Sequence, residues 1–409
     1  MATLPLAVRR SRLLLLLVLL PLQAGAQNLP LTALPFLEIP SSPMTSAIGG
    51  AGVALTEADA YGFLSNPAHL GLQARNTRAA SALYPGGSTD WLQVGDLTLG
   101  SSALNVGFEA KVLGTPLTVG VGLAQTALRF GERAAINAQG ESIGAYEPVD
   151  RFRALALGAA TTGPVRLGLG ATARHVVSTD RAVVEADGIS TSNIWGITFD
   201  LGLLADADVT ALLGHPTLGV LRPALSISAG YAQANIGGMV GYSGAPSQPL
   251  PRTARLGWSQ TLGFDLPTAI GPFRLVEETS SVQAEHSLVR RTETGYGYRP
   301  VLGDMNVFQH ALLGRGNEVV TGRRGFRLEL GETVAFSRGS FDGWGFEEVQ
   351  TRGFELHLAG PLKAAALMTG SDRLAAVATR FDVRYTRSVY FAGELNESTF
   401  HGLSLTVTR

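Results

Sequence analysis

The chain has 409 residues with 50 glycines, no cysteine and 16% charged residues, where about 7% glycine and about 25% charge are usual. Without cysteine, a disulfide-stapled domain, a cysteine-ligated metal or cluster and a cysteine nucleophile are excluded. The balance of 32 basic and 33 acidic residues excludes the basic footprint of a nucleic-acid binder, and 45% hydrophobic residues exclude a disordered chain.

Residues 1–26 read as a cleaved secretory signal. Arg9, Arg10 and Arg12 form a basic start, Leu13 to Leu20 an apolar run, and Ala24-Gly25-Ala26 a small-x-small cleavage site. The run is far short of the ~20 residues a spanning helix needs. Its removal takes three arginines and no acids, leaving 29 basic against 33 acidic residues, a net charge of −4.

Residues 27–75 follow as a segment without strand alternation. Gly49, Gly50 and Gly52 permit tight turns and close backbone approach. Asn66-Pro67 is a turn signal, with Pro67 holding Asn66 extended. A compact Gly- and Ala-rich piece of this kind suits a hatch packed inside a barrel; an ordinary linker is the alternative.

From residue 76 to 409 the pattern has period two. In Val165 to Arg174 the odd positions are apolar and the even ones Gly, Thr and Arg; Ile197, Phe199, Leu201 and Leu203 alternate with Thr198, Asp200 and Gly202. Strand side chains point to opposite faces in turn, so each segment has one apolar and one small or polar face. Such segments fall near 76–84, 91–98, 102–112, 116–128, 151–162, 164–178, 193–204, 223–235, 252–264, 272–286, 325–338, 349–359, 376–388 and 401–408. Their lengths match the ~9–11 residues of a tilted transmembrane strand better than the ~5–6 of an ordinary one. The fold class expected is all-β, a transmembrane antiparallel barrel of about 14 strands with an N-terminal hatch.

The opposite faces carry Arg174, Asp200, Arg255, Arg327, Glu329, Asp382 and Arg384 among Gly, Ser and Thr, as a polar lumen would. A soluble sandwich with this face in water is the alternative. Tyr84, Trp91, Phe152, Trp195, Phe264 and Tyr390 fall near segment ends, where an interfacial girdle would place them. Two features resist the scheme. Glu332 falls on an apolar face, which implies a bulge or a strand end beyond the bilayer. Long connections follow even-numbered segments, whereas a periplasmic N-terminus predicts them after odd ones. The best helix candidate is Leu362 to Arg380, interrupted at Gly370-Ser371.

Enzyme chemistry leaves little trace. Among His69, His175, His215, His286, His310, His357 and His401 no pair has the i, i+4 spacing of a zinc helix. No P-loop occurs, and no catalytic, cofactor or metal residue is expected.

Residues 46–71 resemble the N-terminus of the FadL-type outer-membrane barrels, particularly their PorV/PorQ branch. The matches are Gly49, Gly50 and Ala51 through Ala54, then Asp59-Ala60, then Asn66, Pro67 and Ala68 with Leu70. Thr198 to Leu204, Ala234-Asn235-Ile236-Gly237 and Leu250 to Gly257 are similar to later family segments in the same order. The final Leu405-Thr406-Val407-Thr408-Arg409 departs from the aromatic end of many such barrels. The resemblance implies a 14-stranded barrel in the bacterial outer membrane, in contact with its lipids. It implies a non-enzymatic role in type IX-type export or surface assembly, with secreted cargo and export machinery as partners. FadL-like passage of fatty acids or other hydrophobic small molecules is the alternative.

Overall fold

The computed structural model describes residues 32–112, 114–136, 140–185, 188–241, 247–293, 295–343, 345–391 and 397–409; the segment read as a secretory signal lies outside them. Its main sheet contains Thr77–Leu83 (β1), Thr98–Val112 (β2), Thr115–Arg129 (β3), Val149–Thr161 (β4), Val165–Glu185 (β5), Gly188–Asp208 (β6) and Arg222–Ile236 (β7). It continues through Thr253–Thr268 (β8), Gly271–Ser287 (β9), Val320–Leu330 (β10), Val334–Gly343 (β11), Phe346–His357 (β12), Phe381–Tyr390 (β13) and Ser398–Thr408 (β14). Each strand pairs antiparallel with its sequence neighbour, and β1 pairs with both β2 and β14. The sheet is therefore a closed 14-stranded barrel, which removes the open edges a sheet would otherwise present.

Alternation decides which face is which. Leu167, Leu169, Leu201 and Leu203 are 50–62% exposed on the outside, while Thr172 and Asp200 are buried within. A soluble sandwich would bury the apolar face; this chain exposes it around the wall, so the soluble alternative fails and the exterior is a lipid-facing band. Among the described residues, no helix is long and apolar enough to cross a membrane; the strands do so.

The strand count matches the expectation through two compensating errors. Residues 91–98 are not a wall strand. Residues 91–97 belong to the connection 84–97, where Leu92 and Gln93 take left-handed backbone and Trp91 turns inward, and Thr98 opens β2. The segment 325–338 is two strands, β10 and β11, joined by a hairpin at Gly331 and Glu332 with φ of +60° and +49°. Glu332 thus lies at the rim. Its Oε1 accepts the Arg274 N–H at 2.8 Å, and Lys363 pairs with it at 2.5 Å.

The corrected count also resolves the loop problem. The connections 84–97, 130–148, 237–252 and 288–319 all follow odd strands, at the end of the barrel opposite the C-terminus. The other end is closed by short turns, by residues 209–221 and by the helical pair Ala359–Thr369 and Asp372–Arg380. That pair is broken at Gly370, with φ +63°, and restarted by Ser371, whose Oγ accepts the Leu374 N–H.

The aromatic girdle is corrected too. Tyr84, Trp91, Phe152 and Tyr390 are 2–8% exposed and point inward; Phe152 and Tyr390 share strand parity with the small and polar face, and the connection after β1 folds Tyr84 and Trp91 in beside them. With Phe341 and Phe400 they form a cluster at the loop end of the lumen. Phe264 is half-buried, and Trp195, 69% exposed, is the one of the six expected there that stands fully on the outer face.

Candidate functional site

Residues 32–76 run through the lumen before β1 begins. They fold as short pieces: a 3₁₀ turn at Pro35–Glu38 and helical turns at Pro43–Ala47, Gly62–Ser65 and His69–Gln73. Ser42 caps the second by accepting the Thr45 N–H at 3.1 Å, with Pro43 at the first helical position. Ser42 also donates to Asp59 Oδ2 at 2.6 Å, and Asp59 Oδ1 accepts the Tyr61 N–H at 3.0 Å. Asp59 thereby ties two of these turns together.

So irregular a buried segment leaves backbone groups unpaired, and each needs a partner. The wall supplies them. Thr118 donates to Gly71 O at 2.7 Å, Thr351 to Ala47 O at 3.0 Å, Arg323 to Gly49 O at 3.0 Å and Tyr84 to Ser41 O at 2.9 Å. Gln283 accepts the Val53 N–H at 2.9 Å. Asn66, fully buried, donates to Val53 O at 2.8 Å and Leu203 O at 2.9 Å and accepts the Ala68 N–H at 3.1 Å.

Glycines on the inward face admit this backbone. Gly107, Gly120, Gly158, Gly170 and Gly202 stand directly opposite one another across β2 to β6. Gly230 faces Gly257, and Gly325 faces Gly339. A Cβ at Gly120 would lie 2.4 Å from Leu70 O, at Gly170 2.3 Å from the Pro67 carbonyl carbon, and at Gly230 2.2 Å from Val53 O. At Gly339 it would lie 2.2 Å from the Gly49 nitrogen. Such distances leave no room for a side chain. On the hatch side, Gly49 and Gly50 have φ of +71° and +77°, and a Cβ at Gly49 would meet Ser340 O at 2.8 Å. Ala51 and Ala68 are buried at 0–1% exposure.

The lumen-facing charges gather in two networks. Nearer the loops, Arg174 pairs with Asp200 at 2.5 Å, and Asp200 also accepts the Asn235 N–H at 2.8 Å. Arg255 and Arg323 grip Glu285 from both sides, at 2.7 and 3.0 Å. Nearer the other end, Arg327 reaches Glu355 at 2.8 Å and Glu329 at 2.5 Å, while Arg384 reaches Asp382 at 3.2 Å. His357 stands 3.6 Å from both Glu355 and Asp382.

Several members escape a sequence reading. Glu285 sits on the weakest of the strand segments, and Arg323 precedes the boundary assigned to its strand. Glu355 and His357 were legible by parity, since both share the face of Gly353. Among the described residues, no group of three or more His, Asp or Glu is arranged to hold a metal.

The upper network closes a cavity of about 60 Å³ between the hatch and the wall, lined by Glu38, Ser41, Tyr61, Arg174, Arg255 and Arg323 among others. Burial, reinforced by the neighbouring Glu285 charge, pushes the Glu38 carboxyl up to about 8. Burial alone dominates at Asp59, raised to about 6, and at His69, lowered to about 4. His69 is therefore neutral near pH 7, with Nε2 3.1 Å from Gly52 O. A second void, of about 10 Å³, separates Met44, Ile48 and Leu55 from Arg327.

Closed wall, apolar exterior and polar, segment-filled interior together define a transmembrane β-barrel with an internal hatch. No protein-family model matches the chain, and no characterised protein matches it by sequence. Solved structures similar to it include a Pseudomonas aeruginosa FadL homologue, with TM-score 0.37, 8% identity and coverage of 90% of this chain and 98% of that one. A mutant of the monoaromatic hydrocarbon channel TodX gives TM-score 0.37, 10% identity and coverage of 90% and 97%. The β domain of the Bordetella autotransporter BrkA gives 0.35, 9%, and 82% and 99%.

Proposed function

We propose that this protein is a hatch-plugged, non-enzymatic barrel of the bacterial outer membrane that serves export or surface assembly of secreted proteins, as PorV/PorQ-type barrels do. The observation that carries the reading is the fit of hatch to wall: its backbone lies against inward glycines on strands from β2 to β11, and the cavity beside it is about 60 Å³. A lumen so filled suits a scaffold that offers its loop surface to cargo better than an open pore. Deleting residues 32–75 and recording currents in planar bilayers tests the plug; the intact protein should be silent and the deletion conductive. Equal currents would sink the plugged reading. Crosslinking at the loop surface in cells tests the role, with a secreted protein expected among the adducts.

A second reading, FadL-like passage of hydrophobic molecules, is favoured by one feature. The aromatic cluster of Tyr84, Trp91, Phe341, Tyr390 and Phe400 lines the loop end of the lumen. Palmitate uptake by cells carrying or lacking the protein separates the two readings.

A further inference from the structure

The outer face of the wall is largely apolar, with exposed cations on β4 and β5 (Arg151, Arg153 and His175) and a wider group spread over four successive strands, β11 to β14. On β11 to β14, Arg338 stands directly opposite Arg352, and Arg387 directly opposite His401. All four point outward: the inward neighbours are Gly339, Thr351, Ser388 and Phe400, buried or packed on the hatch. Like charges directly opposite on adjacent strands are destabilising, and arginine on a lipid-facing surface costs more the nearer it lies to the midplane. Internal acids do little to offset this. Glu397 approaches Arg352 at 3.9 Å, with the arginine side chain 66% exposed, and Gln350 accepts from Arg338 at 3.4 Å.

The surroundings give the cluster a depth. On its far side from the loops lie Phe336, Leu356, Leu403 and Leu405, 40–54% exposed to lipid. Beside it are Phe354 and Tyr385, their rings 6.2 Å apart, with the Tyr385 hydroxyl 2.7 Å from His401 Nδ1. Aromatic rings with a polar tip mark the headgroup level. The cations thus sit where the apolar band meets the headgroups of the loop-side leaflet. A phosphate ester there would relieve the Arg338–Arg352 like-charge pair, accept charge-assisted hydrogen bonds from the guanidinium groups and lay its acyl chains along Phe336 and Leu356.

We infer that Arg338, Arg352 and Arg387 form a binding site on the outer wall for the phosphate of a membrane lipid. The test uses the full barrel reconstituted in equimolar dioleoylphosphatidylglycerol and dioleoylphosphatidylcholine, then released gently and weighed by native mass spectrometry. The wild type should retain the anionic lipid in preference. R338Q/R352Q/R387Q should lower that retention about tenfold or more while keeping heat-modifiable migration; R352Q alone, should the triple variant misfold, should lower it partially. Equal retention of the two lipids, or retention unchanged in both variants, overturns the inference. A third arm offers lipid A and, separately, inorganic phosphate. Lipid A should compete, and full displacement of the lipids by inorganic phosphate would instead assign the cluster to a soluble anion.

Discussion

The amide oxygen of Asn66 fills the place a side chain at Gly202 would take: a Cβ there would lie 2.0 Å from it. Hatch and wall are thus complementary at the level of single atoms, and interiors this tight resist even one added methyl group.

Gly202→Ala should therefore loosen the hatch, at a cost of about 1–3 kcal/mol. Limited proteolysis in detergent should cleave residues 32–75 faster in the variant. Gly238→Ala is the matched control, because a Cβ there meets nothing within 4 Å; equal cleavage of the two would contradict the fit described.

Asn66→Ala removes three hydrogen bonds at once and leaves the carbonyls of Val53 and Leu203 without this donor. A buried group left unsatisfied costs about 1–3 kcal/mol. Bilayer currents should rise from silence to intermittent opening, with the migration of the folded barrel on a detergent gel preserved.

Docking of the hatch should weaken as pH rises. An acid whose docked pKa is raised binds a proton on docking, so its contribution is present at low pH and lost through the docked pKa. Glu38, raised from 4.5 to about 8, acts across that window, and Asp59 from 3.8 to about 6. His69, lowered from 6.5 to about 4, acts oppositely on acidification. Above pH 7 Asp59 and His69 have largely finished titrating, and the Glu38 contribution dominates. Protease sensitivity of the hatch should climb between pH 6.5 and 8, and Glu38→Gln should flatten the rise.

Glu285→Ala strands two arginines, Arg255 and Arg323, that both lean on it. Breaking a buried ionic cluster by one member costs about 3–5 kcal/mol, whereas replacing all of it with apolar residues is often neutral. The temperature at which the folded band disappears on a gel should fall for Glu285→Ala and recover in R255M/E285L/R323M.

Much of this barrel was legible in the chain. Strict alternation located β3, β4 and β7 to within about two residues, because every second side chain there must meet lipid. It failed where a strand edge is not set by alternation. Trp91 continues an apolar rhythm yet belongs to a connection, and Glu332 interrupts one because the chain reverses there.

Sequence by itself determined the class, the lipid-facing parity and the glycine-rich character of residues 46–71, since these follow from local periodicity and backbone freedom. Only the tertiary structure decided what the glycines are for and which charges meet. Gly107 and Gly202 lie far apart in the chain, and the registers of four successive strand pairs bring them into one belt around the hatch. Glu285 and Arg323, on strands separated by a long connection, become partners because β9 and β10 pair in a register that no local pattern encodes.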